Sequence, residues 1–350
     1  MNPLLDSALP APGAAPRPAL VDRYGRVLDY LRIAVTERCN LRCVYCMPEE
    51  GVELPPDGAL LTADEIARIV RIAAELGVRK VRLTGGEPLL RRDIVEIVER
   101  VASTPGIEES HLTTNGLLLE SRAKALTEAG LTGVNVSLDS LDAATYRELT
   151  RRDGLEVVLR GLRRAAEAGI STIKVNAVAL AGITDREYAG FVDLTRDADV
   201  TVRFIELMPF DQHQIWGTGR FLSAAEMVAD LRALYPGLRP ASGTSTEHFA
   251  FRLPGHKGRV AIIPAYTRDL CGSCSRLRVT ADGKVRNCLY ANDELDLSAP
   301  LRNNAAADED IAAVFRLATD RKAKDGWHAQ RRPSKTPVQF VRASMTQIGG

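Results

Sequence analysis

Between residues 30 and 208, short runs of strand character alternate six times with amphipathic stretches of helical period. YLRIAVT (30–36), KVRLTGG (80–86), SHLTTNG (110–116), GVNVSLD (133–139), STIKVNAVAL (171–180) and VTVRFIELM (200–208) read as strands. LTADEIARIVRIAAELG (61–77), RRDIVEIVERVAS (91–103), ESRAKALTEAG (120–130), GLEVVLRGLRRAAEAG (154–169) and TDREYAGFVDLTRDA (184–198) read as helices. Thr62 with Glu65 three residues on has the form of a capping box, Gly77 follows that helix, and Thr184 is placed to open another. Strands alternating with helices build a parallel sheet. Six units fall short of a closed eight-stranded barrel, so the fold class is α/β, a partial (β/α)6 TIM-type barrel, with a doubly wound open sheet as the alternative.

Beyond residue 208 the rhythm breaks. FLSAAEMVADLRALY (221–235) and residues 305–325 are helical in pattern. FAFRLP, RVAIIP, RLRVT and KVRNCL read as short antiparallel strands between Gly and Asp turns. Three parts follow: a disordered Pro/Ala-rich lead-in at 1–25, the barrel at 26–208, and a C-terminal α+β extension at 209–350 that closes the barrel mouth. The lead-in has no basic start and is interrupted by prolines, which does not make a signal peptide. No apolar run approaches the ~20 residues of a spanning helix. A net charge of +1 gives no global basic field, which argues against nucleic acid and membrane as partners. A cytoplasmic location is expected, where six cysteines serve as metal ligands rather than disulfides.

Those cysteines fall into two sets of three. Cys39, Cys43 and Cys46 are spaced CX3CX2C; Cys271, Cys274 and Cys288 are spaced CX2CX13C. A structural zinc site wants a fourth Cys or His nearby, and the five histidines show no such spacing. Zinc stays open at both sets, and a CX2C redox pair at Cys271 and Cys274. A cubane iron–sulfur cluster held by three thiolates leaves one iron to bind something else, which suits three ligands without a fourth. The first set directly follows the first strand. TGGEP (84–88), TTNG (113–116) and SLDS (137–140) follow later strands, at the edge where parallel β/α folds bind ligands. There Gly85 and Gly86 would permit close backbone approach to a ligand.

CX3CX2C with an aromatic before its last Cys, followed by GGEP, resembles the radical S-adenosylmethionine (SAM) superfamily. RIAVTERCNLRCVYCMPEEG, VRLTGGEPLLRRD, LTTNGLLL, GVNVSLDSLD, VRFIELM, CGSCSRLRVTADGKVRNCL and the terminal GG together are similar to its GTP 3′,8-cyclase family, over about residues 28–350. The resemblance implies two [4Fe–4S] clusters, one on Cys39, Cys43 and Cys46 with SAM, one on Cys271, Cys274 and Cys288 with the substrate. It implies SAM contacts from Tyr45, Gly86, Ser137 and Met208, and GTP contacts from Arg32, Arg82, Thr113, Lys174, Arg276 and Arg278. The implied reaction is the first step of molybdenum cofactor biosynthesis. A 5′-deoxyadenosyl radical takes hydrogen from the GTP ribose C3′, and closure onto C8 gives 3′,8-cyclo-7,8-dihydro-GTP. The implied partners are an electron donor and the downstream cyclic pyranopterin monophosphate synthase, with a homodimer left open. Gly349 and Gly350 would reach into the active site; residue physics alone reads them as a frayed end.

The charge pattern points the same way. Arg276 and Arg278 are two apart in a strand-like run and share a face. Arg32, Arg82 and Lys174 also sit on strands. Arg grips phosphate bidentately and Lys acts as a point charge, so such a cluster in a near-neutral chain fits a polyanionic small molecule. No GXXXXGK[ST] loop occurs, so a nucleotide is held without Walker-type chemistry.

Overall fold

All six strands of the rhythm form: β1 (Tyr30–Ala34), β2 (Lys80–Thr84), β3 (Glu109–Thr114), β4 (Gly133–Ser137), β5 (Thr172–Ala179) and β6 (Val200–Glu206). They pair in parallel in sequence order, and the helices between them cover the outer face. The computed structural model describes residues 19–56, 58–208, 218–243, 249–267, 270–330, 342 and 344–348. Gly349 and Gly350 therefore lie outside the described residues.

The extension contributes β7 (Arg239–Pro240), β8 (Phe249–Arg252), β9 (Arg259–Ile263), β10 (Arg276–Val279), β11 (Lys284–Arg286) and β12 (Leu295–Asp296). The order in the sheet is β12-β11-β10-β1-β2-β3-β4-β5-β6-β9-β8-β7. The antiparallel reading of these strands holds only in part. β8 with β9 and β10 with β11 are antiparallel, but β10 runs parallel to β1 and β9 parallel to β6. Eight parallel strands thus form the barrel wall among the described residues, six from the repeat and one at each end from the extension. The sheet's two ends, β12 and β7, do not pair, so the barrel is open.

Local chemistry explains most boundaries. Thr62 accepts from Glu65 N while the Glu65 carboxylate accepts from Thr62 N, a complete capping box on the helix Ala63–Glu75. Thr184 does not cap its helix, Thr184–Asp193. Its hydroxyl accepts instead from Leu180 N at 2.9 Å, tying the helix to the end of β5. A helix at Ala143–Thr150, not read from the sequence, starts where Asp142 accepts from Thr145 N at 2.8 Å. Its C-terminal carbonyls receive Arg42 N and Val44 N, at 3.0 Å from Thr150 and 2.9 Å from Leu149, so it supports the first cysteine loop.

Residues 19–25, placed with the lead-in, are anchored to the body through Leu20 and Asp22, while Val21 and Tyr24 stay exposed. Leu20 is buried, Val21 bridges to Val27, and Asp22 pairs with Arg26 at 2.6 Å. The Arg26 guanidinium also donates to the carbonyls of Cys271 (2.8 Å), Ala323 (2.6 Å) and Lys324 (2.9 Å). One apolar core runs from Leu20 through the barrel helices to Phe315 and Ala318 in the extension. Among the described residues no helix is long and apolar enough to cross a membrane.

Candidate active site

Side chains alternate across a strand, so each wall strand sends every second residue inward. Outward positions are apolar and packed under the helices: Leu31, Ile33, Val81, Leu83, Val134, Val136, Val202 and Phe204 are all buried. Inward positions are polar and cationic. A cavity at the C-terminal ends of the strands is lined by Arg32, Arg82, Thr113, Ser137, Asn176, Arg203, Arg276 and Arg278. Tyr45, Asp139, Met208 and Met345 also line it, as do all three cysteines of the second set. Arg82, Arg203 and Arg278 are only 2–4% exposed. The Nε atoms of Arg82, Arg276 and Arg278 are buried with no hydrogen-bond partner among the described residues. Burial pushes Arg82 down to about 10 and Arg278 to about 9, with neighbouring arginines adding to it. Both remain charged at neutral pH. A barrel interior usually packs branched apolar layers; this one gathers buried cations that want an anion.

Most sequence-derived positions meet at this cavity. Lys174 does not line it directly; it is buried on β5, one pleat below Asn176. Gly86 also lies off the cavity. A Cβ on Gly86 would stand 2.2 Å from the Arg38 carbonyl oxygen, and one on Gly85 (φ +140°) 2.2 Å from that of Thr36. Gly86 N donates to Thr36 O at 2.8 Å and Glu87 N to Arg38 O at 2.7 Å. The close approach these glycines permit is therefore to the backbone entering Cys39. The Glu87 carboxylate secures the same turn, accepting from Asn115 N (2.7 Å), Leu89 N (2.9 Å) and the Thr114 hydroxyl (2.8 Å). Burial raises it to about 7 against these bonds.

In the first loop, Cys46 N and Met47 N both donate to Cys43 O, at 2.9 and 3.2 Å, which closes a tight turn between the second and third cysteines. Burial holds Cys39 and Cys43 above the ordinary thiol range and pushes Cys46 up to about 12. Of this loop Tyr45 reaches the cavity, and its hydroxyl donates to Asp139 at 2.6 Å. The second set starts on a single 3-10 turn, Cys271–Ser273, locked to the N-terminal segment by Arg26. Burial would raise Cys274, but Arg276 and Lys322 outweigh it and hold the thiol well below its usual range. Lys322 is 2% exposed and donates to Arg276 O at 3.0 Å, which fixes it beside that thiol.

The sequence matches the Radical SAM superfamily model over residues 33–195 and the Molybdenum Cofactor Synthesis C model over residues 200–327. It is 46% identical to GTP 3′,8-cyclase of Chlorobaculum tepidum over 95% of this chain and 97% of that one. It is 45% identical to GTP 3′,8-cyclase of Pelotomaculum thermopropionicum over 94% and 99%. The chain belongs to the GTP 3′,8-cyclase family of radical SAM enzymes. Molybdenum cofactor biosynthesis protein 1 of Drosophila melanogaster is 43% identical over 90% of this chain, which spans 55% of that longer protein. SuiB of Streptococcus suis, solved with its precursor peptide SuiA, shares the fold at a TM-score of 0.60 and 16% identity, over 91% of this chain and 76% of that one.

This family member is a radical SAM enzyme of molybdenum cofactor biosynthesis, and the superfamily's [4Fe–4S] cluster and SAM are its cofactors. Its own residues fit that group. All six cysteines are free thiols and half-buried. No three His, Cys, Asp or Glu among the described residues converge on a single-ion site, and a cubane, which takes each thiolate on a separate iron, needs no such convergence. Arg203, Asn176, Asn135 and Asp139 were missed in the sequence. Arg203 and Asn176 sit on inward positions of strands already recognised, so alternation alone could have found them. Arg203 Nε donates to Asn176 Oδ1 at 2.8 Å, and Asn135, with its amide oxygen turned inward, accepts from Arg203 (2.6 Å) and Arg82.

Gly86→Ala is expected to displace Arg38 and Cys39, costing about 1–3 kcal/mol as overpacking does. Iron content and SAM cleavage should fall together; normal iron and activity would show that the loop yields freely.

Proposed function

We propose that this chain cyclises GTP to (8S)-3′,8-cyclo-7,8-dihydroguanosine 5′-triphosphate, the first step toward the cofactor. The observation that carries this is the buried cationic cavity of Arg32, Arg82, Arg203, Arg276 and Arg278, with Lys174 beneath it, opening onto the second cysteine set. A triphosphate is the dense anion that offsets such a cluster, and it supplies acceptors for the orphaned Nε atoms. Thr113 adds a hydroxyl on the same wall.

Cys39, Cys43 and Cys46 would hold the SAM-binding cluster, and Cys271, Cys274 and Cys288 a second [4Fe–4S] cluster facing the guanine. When bound, the first cluster and SAM supply the 5′-deoxyadenosyl radical that takes hydrogen from the ribose C3′. The chain's own work is placement. Ser137, Met208 and Tyr45 face the cavity where SAM would lie, and Gly86 acts through the loop backbone. The arginines anchor the triphosphate so that C3′ and C8 are held for a unimolecular closure. Reducing equivalents would come from an electron donor, and the product would pass to cyclic pyranopterin monophosphate synthase, both in the cytoplasm.

Gly349 and Gly350 are proposed to enter the cavity. What supports this is the segment before them. Ser344 Oγ donates to Cys46 O at 3.0 Å, Gln347 Nε2 to Glu37 at 3.1 Å, and Ile348 is buried with Tyr290 against Met208, Cys288 and Met345. Arg342 clamps the segment to Glu294 (2.8 Å) and Asp282 (3.0 Å), with Glu37 at 3.7 Å. Arg342→Ala should lower turnover about tenfold, through loss of charge-assisted bonds, while iron content and SAM binding persist. Burial opposes ionisation of Asp282 and Glu294, but hydrogen bonds, with Arg342 prominent in both, hold each below the usual carboxylate range. The Asp282 and Glu294 arms are thus in place through the ordinary carboxylate range and lost as pH falls through those lowered values, whereas burial raises Glu37, whose arm is lost first as pH falls.

The test is an anaerobic reaction of purified protein with SAM, a reductant and GTP. With GTP present, 5′-deoxyadenosine and the cyclised nucleotide should appear together; 5′-deoxyadenosine without any nucleotide product would reject the substrate.

A further inference from the structure

We propose that His111, fixed by Glu109, is a positioning residue for Arg82 and so for the triphosphate; this rests on the reading that GTP occupies the cavity. Thr113 of β3 lines the cavity, and His111, two residues earlier on the same face, lies one pleat deeper at 1% exposure. Its register partners are Arg82 on β2 and Gly133 on β4. A Cβ on Gly133 would stand 2.6 Å from His111 Nε2, so the ring occupies space that any other residue at 133 would claim.

The ring bridges two charges. Nε2 is 3.0 Å from the Glu109 carboxylate, and Nδ1 is 3.4 Å from Arg82 Nη2. A carboxylate only accepts, so Nε2 carries the hydrogen and Nδ1 presents its lone pair to the guanidinium. The imidazole is neutral here: burial lowers it to about 4, helped by Lys80 and Arg82 and opposed by Glu109. Tyr30 stacks on the same guanidinium at 5.5 Å, and Asn135 takes another of its hydrogens. Held on three sides, Arg82 has one orientation in which to meet phosphate, and its Nε is left without a partner.

GTP binding, measured by titration calorimetry on the cluster-loaded protein, tests this separately from turnover. His111→Phe keeps volume and removes the acceptor; GTP affinity should fall about tenfold, the worth of one hydrogen bond to a charged group, with SAM affinity and iron content unchanged. His111→Asn, whose carbonyl takes the place of Nδ1, should recover most of it. In an Arg82→Ala background His111→Phe should cost nothing further. Should His111→Phe fail to fold, Glu109→Leu at its half-exposed site should lower affinity about threefold through the freed tautomer. Undiminished GTP affinity in Arg82→Ala would overturn the substrate-site reading itself. Weakened binding in Arg82→Ala, with a His111→Phe loss that is absent, unrecovered by Asn or undiminished in the double variant, would overturn only the role of His111.

Discussion

Cys43→Ser is expected to abolish SAM cleavage and to lower the protein's iron and sulfide content. Serine is a poor, hard ligand for a soft iron centre, and its hydroxyl does not ionise in this range. The loop itself should survive, because the turn is made by Cys46 N and Met47 N donating to the backbone oxygen of residue 43, which the substitution keeps. Gly86 and the helix Ala143–Thr150 hold the loop's two flanks by backbone bonds that also persist. The loss is therefore one of ligation and not of folding. Unfolding temperature should move little, and the second cluster proposed on Cys271, Cys274 and Cys288 should still assemble. Full SAM cleavage by this variant would remove the first cysteine set from the site.

Arg276→Ala with Arg278→Ala should weaken GTP binding by about a hundredfold or more. Each arginine is placed to give a charge-assisted contact of about 1.5–3 kcal/mol, and neighbours on one strand face do not add simply. Both guanidinium groups are inward on β10, with buried Nε atoms lacking partners that a phosphate would supply, while Arg276 also bonds to Cys274. SAM cleavage uncoupled from nucleotide should remain possible, since the substitutions leave Cys39, Cys43, Cys46 and the backbone bonds of their loop unchanged. Arg276 also keeps the Cys274 thiol low, so iron analysis must accompany the measurement. Lysine at both positions should restore part of the affinity, returning charge without the bidentate fork. Unchanged GTP affinity in the alanine variant would place the triphosphate elsewhere.

Much of this was legible because the signals are local. A capping box needs four residues, a strand shows itself in the alternation of five to eight, and a three-cysteine loop announces soft-metal ligation by spacing. The Thr184 cap failed because a hydroxyl beside a helix start can equally bond backward: Thr184 is the first residue of its helix and accepts from Leu180 N. The antiparallel reading of RVAIIP and RLRVT failed for a related cause. Each does have an antiparallel neighbour close in sequence, but each also has a parallel neighbour more than 50 residues away, on β6 or β1. Nothing in a strand's own residues records that second edge.

By itself the sequence determined the six β/α units, the two cysteine triplets and the strand positions of Arg32, Arg82, Arg276 and Arg278, since periodicity and ligand spacing are properties of short segments. Tertiary structure alone decided what those residues face. It set Gly86 against the cysteine loop, brought β10 beside β1 so that Arg32 and Arg278 share one wall, and slid His111 into the space beside Gly133. Those contacts join segments whose separation along the chain carries no periodic signal, and only the packing of the assembled wall selects them.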